Sequence, residues 1–297
     1  MKNLKNNTDS IQPQQKVTEK VQAHASKNIN KPSYQPIKNL REKNVTELEK
    51  LFSAYFNELS MKYGHYNVFE NYLDMAINGF CFNYDAKLMT SLREKYTQDE
   101  RYMFGELIHM WIYLCNKKIV TDNMFFDWFG TFYEQNAMSK KRGFAQFFTP
   151  DPICKFMAQI LNIENPNAKS MCEPACGSGR FNLAAHALNH KMFHVANDLD
   201  LTCAKMTALN FMMHGIKGIV ICDDSLLPKS KFRGAFVINQ YFAPSIRYID
   251  DMNEAYFYAN YKIGAISNNV NVPDADTEVI QKEYKETVDK KGQLSLF

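Results

Sequence analysis

Beyond Gly143, four short apolar runs at 170–172, 192–196, 218–222 and 235–238 alternate with helical stretches that begin near Gly179, Leu201 and Leu226. Runs of this length, bounded by turn residues, read as buried strands, and strand–helix alternation feeds a parallel sheet through right-handed crossovers. The expected fold class is therefore α/β with a mainly parallel sheet over residues 143–270.

The preceding segment has a different texture. Leu48, Leu51, Phe52, Tyr55, Phe56 and Leu59 recur at spacings of three and four, as do Phe104, Leu107, Ile108, Trp111 and Leu114. That period marks amphipathic helices. A further helix is expected near 123–138, making residues 46–142 a helical domain closed by Lys140-Lys141-Arg142-Gly143. Residues 1–45 hold nine Lys or Arg against three Asp or Glu and few large apolar side chains, so they are expected to be a disordered basic arm. Since the net charge is +3, the remainder is slightly acidic, and DNA binding is permitted by charge without being demanded. Residues 271–297 read as a charged helix near 277–290 and a tail.

Seven cysteines with no C-x-x-C pair read as reduced core thiols. The polar N-terminus and the lack of any run of 18 apolar residues lead to the expectation of a cytoplasmic chain without membrane contact. His186, His190 and His194 stand four apart, but His194 falls where the second strand should begin, so a solvated helix face is expected and no metal.

The chemistry concentrates in Glu173-Pro174-Ala175-Cys176-Gly177-Ser178-Gly179, which links a strand to a helix. Glycines there let the backbone approach a ligand more closely than a Cβ would permit. Nineteen residues on, Asp198 ends the second strand, where a carboxylate can accept both hydroxyls of a ribose. Asp224 follows the third strand, at the crevice where open α/β sheets bind ligands, placed to meet an adenine amino group. Together they describe an adenosine-bearing ligand without a pyrophosphate.

Phe147-Phe148-Thr149-Pro150 precedes this loop as the F-x-T-P motif does in γ-type DNA adenine-N6 methyltransferases, and Asp127-Trp-Phe-Gly-Thr-Phe-Tyr-Glu134 is similar to their D-x-x-G-x-x-Y-E helix. The chain thus resembles the modification subunit of type I restriction-modification systems over about 120–242. The resemblance implies a Rossmann-like core binding S-adenosylmethionine through Phe148, Thr149, Pro150, Glu173, Pro174, Ala175, Gly177, Gly179, Asp198 and Asp224. It also implies site-specific methylation of adenine N6 in DNA, with a separate specificity subunit as a possible partner. Where the family has Asn-Pro-Pro-aromatic, this sequence has Asn239-Gln240-Tyr241-Phe242. By resemblance Asn239 Oδ1 and the Gln240 carbonyl would accept the two N6 hydrogens, localising a lone pair otherwise delocalised into the purine, while Phe242 or Tyr241 holds the flipped base.

Both prolines are absent, and 55 residues follow Phe242, fewer than three further strands and a target-recognition domain require. An altered, truncated relative acting as a DNA- or cofactor-binding module is the alternative, and a protein-glutamine methyltransferase a third reading. Residues 243–266 are expected to cover or extend the fourth strand's edge. The final Gln293-Leu294-Ser-Leu296-Phe297 resembles the pentapeptide with which bacterial proteins grip the sliding clamp, implying Gln293, Leu294, Leu296 and Phe297 as partner contacts.

Overall fold

The computed structural model describes residues 37–81, 84–122, 124–136, 147–241 and 244–267. The basic arm to residue 36, the charged linker 140–142, Phe242, the charged helix and the clamp-like pentapeptide lie outside the described residues.

Among the described residues the helical segment holds α1 (Val45–Tyr63), α2 (His65–Phe80), α3 (Ala86–Lys95), α4 (Gln98–Thr121) and α5 (Trp128–Gln135). Their ends are fixed by side chains. Asn44 and Glu47 form a capping box at α1, and Thr97 and Glu100 form another at α4, each satisfying two otherwise orphaned N–H groups. The apolar stripe of α1 is buried as its spacing requires, with Leu48, Phe52 and Phe56 wholly enclosed. Phe52 and Phe56 meet Phe132 of α5 edge-on at 5.0 and 4.9 Å between ring centroids, and Phe52 meets Trp128 at 5.1 Å. Trp128, Phe129, Phe132 and Tyr133 of α5 are thus helical core.

After α6 (Asp151–Ile160) come β1 (Ser170–Glu173), α7 (Arg180–Leu188), β2 (Phe193–Asp198), α8 (Leu201–His214) and β3 (Gly218–Cys222). β1, β2 and β3 are parallel neighbours. Then the pattern breaks. β4 (Gly234–Ile238) pairs with β3 antiparallel, and β5 (Ile246–Ile249) pairs with β4 antiparallel. The sheet is therefore mixed, in the order β1-β2-β3-β4-β5, and the expectation of a mainly parallel sheet is corrected.

The cause lies between β3 and β4, where the helix expected near Leu226 does not form. Asp224 Oδ1 accepts from the N–H of Leu226 and Leu227, Asp223 accepts from Lys229 N and Lys231 N, and Lys229 takes φ 72°. Those bonds make a turn, and without a crossover helix the chain returns antiparallel.

Strand alternation sends side chains to two faces. On one, Phe193, Val195, Ile219, Ile221 and Val237 pack with Ala255 and Tyr258 of α9 (Met252–Ser267). On the other, His194 meets Phe211 of α8 at 5.6 Å. Helix α8 is almost wholly buried because α2 lies against it. Lys205 pairs with Asp74 at 2.6 Å, and Thr202 Oγ1 donates to Glu70 Oε1 at 2.5 Å. The helical segment and the sheet accordingly pack as one compact unit from Lys38 onward. No helix among the described residues is long and apolar enough to cross a membrane.

Candidate functional site

The carboxyl ends of β1 and β2 open into a cavity of about 300 Å³ lined by Phe147, Phe148, Thr149, Glu173, Gly177 and Asp198, with Arg180 and Met157 at its walls. That volume is at the lower end of small-molecule clefts, roughly 300–1,000 Å³.

Its floor is the glycine loop. Gly177 has φ 58°, and a Cβ placed there would stand 2.8 Å from the Phe148 ring, so residue type and conformation both require glycine. The Gly177 N–H donates to Asp198 Oδ2 at 2.8 Å, and Asp200 N–H donates to Oδ1 at 2.8 Å. These bonds aim Asp198 at the loop. Burial pushes its carboxyl above the ordinary range, against the pull of those two N–H groups. Burial likewise raises Glu173. Two partly desolvated carboxyl groups facing one cavity suit a polyhydroxylated or cationic ligand.

Behind the loop lies a buried acid–base hub. Asp127, the N-cap of α5, accepts from Gly130 N (2.9 Å), Ser178 Oγ (2.6 Å), Arg180 Nε (2.8 Å) and Asn210 Nδ2 (2.9 Å). A Cβ at Gly130 would overlap Asp127 Oδ2, which explains the glycine three residues after the acid. At the other end of α5, Glu134 accepts from Phe148 N and from Arg180 Nη2, both at 3.1 Å. The guanidinium also lies 5.6 Å from the Phe148 ring centroid. Burial alone would lower the Arg180 pKa, but Asp127 and Glu134 outweigh it and hold the side chain charged.

Several expected residues meet at this cavity: Phe148, Thr149, Glu173, Ala175, Gly177 and Asp198 line it. Others have different work. Pro150 caps α6 through its carbonyl, and Gly179, at φ 84°, starts α7 against Thr207. Pro174 is exposed and is not among the lining residues. Asp224 does not reach the cavity. Its carboxylate caps the turn after β3 and pairs with Lys231 at 3.3 Å, and the Leu226 N–H leads the effects that hold its pKa down.

Asn239 is separated from the cavity by the strand reversal. It stands beyond Ile238, which pairs with Gly218 at the amino end of β3, whereas the cavity lies at the carboxyl end of β1 and β2. The separation is about 15 Å along the strand direction, from roughly five residues at ~3.3 Å each. Its side chain is committed: Nδ2 faces the carbonyls of Phe211, Met212 and Ile216 at 3.2, 3.3 and 3.0 Å, and Oδ1 accepts from Ser245 N at 3.1 Å. With φ 52°, Asn239 is a left-handed bracket joining the β4–β5 turn to the end of α8. Gln240 is buried beside it, and Tyr241 is half exposed.

Sequence reasoning passed over Arg180, Met157, Phe181 and Cys203, which line the cavity, as do Phe147 and Cys176 from within the two motifs. Arg180 had a signal: a cation in the first turn of a helix opposes the macrodipole unless acids await it. The histidines also differ from expectation. His186 and His194 are buried, in α7 and β2, and their rings converge to 6.0 Å, with His190 4.8 Å from His186. Helix α7 ends at Leu188, so the four-residue spacing does not describe one exposed face. No group of three His, Cys, Asp or Glu among the described residues has the arrangement to hold a metal ion.

Residues 121–264 match the model of a family described as N-6 DNA Methylase. The match begins just before the hub, takes in the whole cavity and ends within α9. The chain is similar to that family over this segment. No solved structure matches the chain.

Proposed function

We propose that this protein is an S-adenosylmethionine-dependent methyltransferase acting on adenine N6 in DNA, with the cofactor held between Phe148, the Glu173–Gly179 loop and Asp198. The observation that carries the reading is the Gly177–Asp198 pairing beneath the Phe148 ring. It sets one carboxylate at the end of β2 and a Cβ-free backbone at the end of β1, both facing a single cavity. This donor set fits the cofactor: Asp198 for the ribose hydroxyls, Phe148 for an apolar face and Glu173 for a cationic group. The cofactor supplies an electrophilic methyl group; the chain's share is to hold it and exclude water. DNA is the substrate that the family match implies. A specificity subunit and a sliding clamp gripping Gln293, Leu294, Leu296 and Phe297 are partners proposed on sequence grounds alone.

A second reading is favoured by Asn239. Polarising N6 requires a free amide oxygen near the methyl donor, and the Asn239 oxygen is bonded to Ser245 N at the other end of the sheet. On this reading the chain binds cofactor or DNA and does not catalyse transfer. Incubation with methyl-labelled S-adenosylmethionine and DNA of varied sequence separates the two. Label in N6-methyladenine supports the enzyme; cofactor binding without incorporation supports the binding module.

A further inference from the structure

We propose that Glu134 is a positioning residue for the cavity: without lining it, Glu134 fixes the Phe148 wall and thereby sets cofactor affinity. The proposal rests on the reading of that cavity as a cofactor site.

One carboxylate holds two groups that meet at Phe148. Glu134 Oε1 takes the Phe148 N–H, and Oε2 takes the Arg180 guanidinium, which itself lies against the Phe148 ring. The backbone and the aromatic face of Phe148 are thus tied to the same acid, fourteen residues away in sequence. The ring in turn stops against Gly177, where there is no room for even one added carbon. Any drift of Phe148 therefore changes the space above the glycine loop.

Asp127 grips the other side of the same assembly, holding Ser178 and Arg180 Nε. Its seven-residue separation from Glu134 spans about 10 Å of helix at ~1.5 Å per residue. Helix α5 is thereby a rigid spacer between the two grips.

Burial separates the two acids in consequence. The Asp127 side chain is 1% exposed, so removing it strands several buried donors and threatens the fold. Glu134 is 31% exposed, and Arg180 keeps Asp127 and Asp151 at 2.8 and 3.3 Å as further partners, so losing Glu134 strands no buried charge. Its use is geometric, and a substitution there should change binding more than folding.

The test uses the full chain with Glu134→Ala and Glu134→Gln. Calorimetric titration with S-adenosylmethionine and S-adenosylhomocysteine is combined with apo melting temperature and hydrogen exchange. Glu134→Ala should weaken both ligands about tenfold or more, leave apo melting within a few degrees of the parent, and speed exchange at Phe148 and across 173–179. Glu134→Gln keeps an acceptor for the Phe148 N–H and loses the charge facing Arg180, so its affinity should be intermediate. Alanine binding within twofold of the parent, with unchanged loop exchange, would overturn the proposal. So would a large melting loss with exchange raised equally throughout α1 to α5, since that describes support of the fold. A parent that binds neither ligand would refute the cofactor reading, and loop exchange would then decide the positioning role by itself.

Discussion

Acidification should destabilise this protein through three histidines sealed in its interior. Burial pulls His186 and His214 down to about 4 and His194 to about 3, from 6.5 when exposed. His214 Nδ1 lies 2.7 Å from the Asn210 carbonyl, while its Nε2 and that of His194 have no hydrogen-bond partner among the described residues. Protonation would leave charges with nowhere to go. Because the folded values lie below the unfolded one, stability is complete above pH 6.5 and is lost as pH falls from there toward 4. At about 1.36 kcal/mol per pH unit, each histidine forfeits about 2 kcal/mol between pH 7 and 5, or on the order of 5 kcal/mol together. That is comparable with a whole domain's stability of roughly 5–15 kcal/mol. Carboxyls raised by partial burial, such as half-buried Asp198, act in the opposite sense and offset part of the total. Urea unfolding of the parent and of His194→Leu at both pH values isolates one share. The variant's loss on acidification should be smaller by about 2 kcal/mol, whatever the substitution does at pH 7. Equal losses in the two proteins would refute the reasoning.

Gly177→Val forces a branched side chain into a left-handed position against Phe148, and calorimetry should find no S-adenosylmethionine binding; parental affinity would remove the loop from the site. Gly130→Ala drives a methyl group into Asp127 and should cost about 2–4 kcal/mol in denaturant unfolding; a loss under ~0.5 kcal/mol would contradict the hub. Asn239→Ala removes the side-chain hydrogen bonds to Phe211, Met212, Ile216 and Ser245 and should destabilise by roughly 2–3 kcal/mol. Unchanged stability with abolished methylation would instead mark Asn239 as catalytic.

The strands were legible because each is a short apolar run closed by turn residues, and β1 to β4 begin within a residue of the expected places. The cavity followed from the same reading, since Gly177 and Asp198 sit where parallel strands end. Strand direction was not legible. Leu226 and Leu227 invite a helix, yet Asp223 and Asp224 take the nearby N–H groups first, and that contest is settled by local hydrogen bonds that apolar periodicity does not register. The role expected of Asn239 came from resemblance to the Asn-Pro-Pro-aromatic motif, and strand direction decides at which end of the sheet that residue stands. The hub escaped for a different reason: Asp127 and Arg180 are fifty-three residues apart, and only folding makes them neighbours. The histidine spacing does not describe one helix face because the helix stops at Leu188, between the first and second of the three, and the third lies in β2.

The proposal that the cavity between Gly177 and Asp198 holds S-adenosylmethionine stands or falls on calorimetric titration of the parent and of Asp198→Ala. Asp198→Ala removes both the ribose acceptor and the anchor of the Gly177 N–H. The account predicts saturable one-to-one binding by the parent and affinity at least about tenfold weaker in the variant, equivalent to ~1.4 kcal/mol. Absence of binding by the parent, or equal affinity in the two proteins, would contradict it.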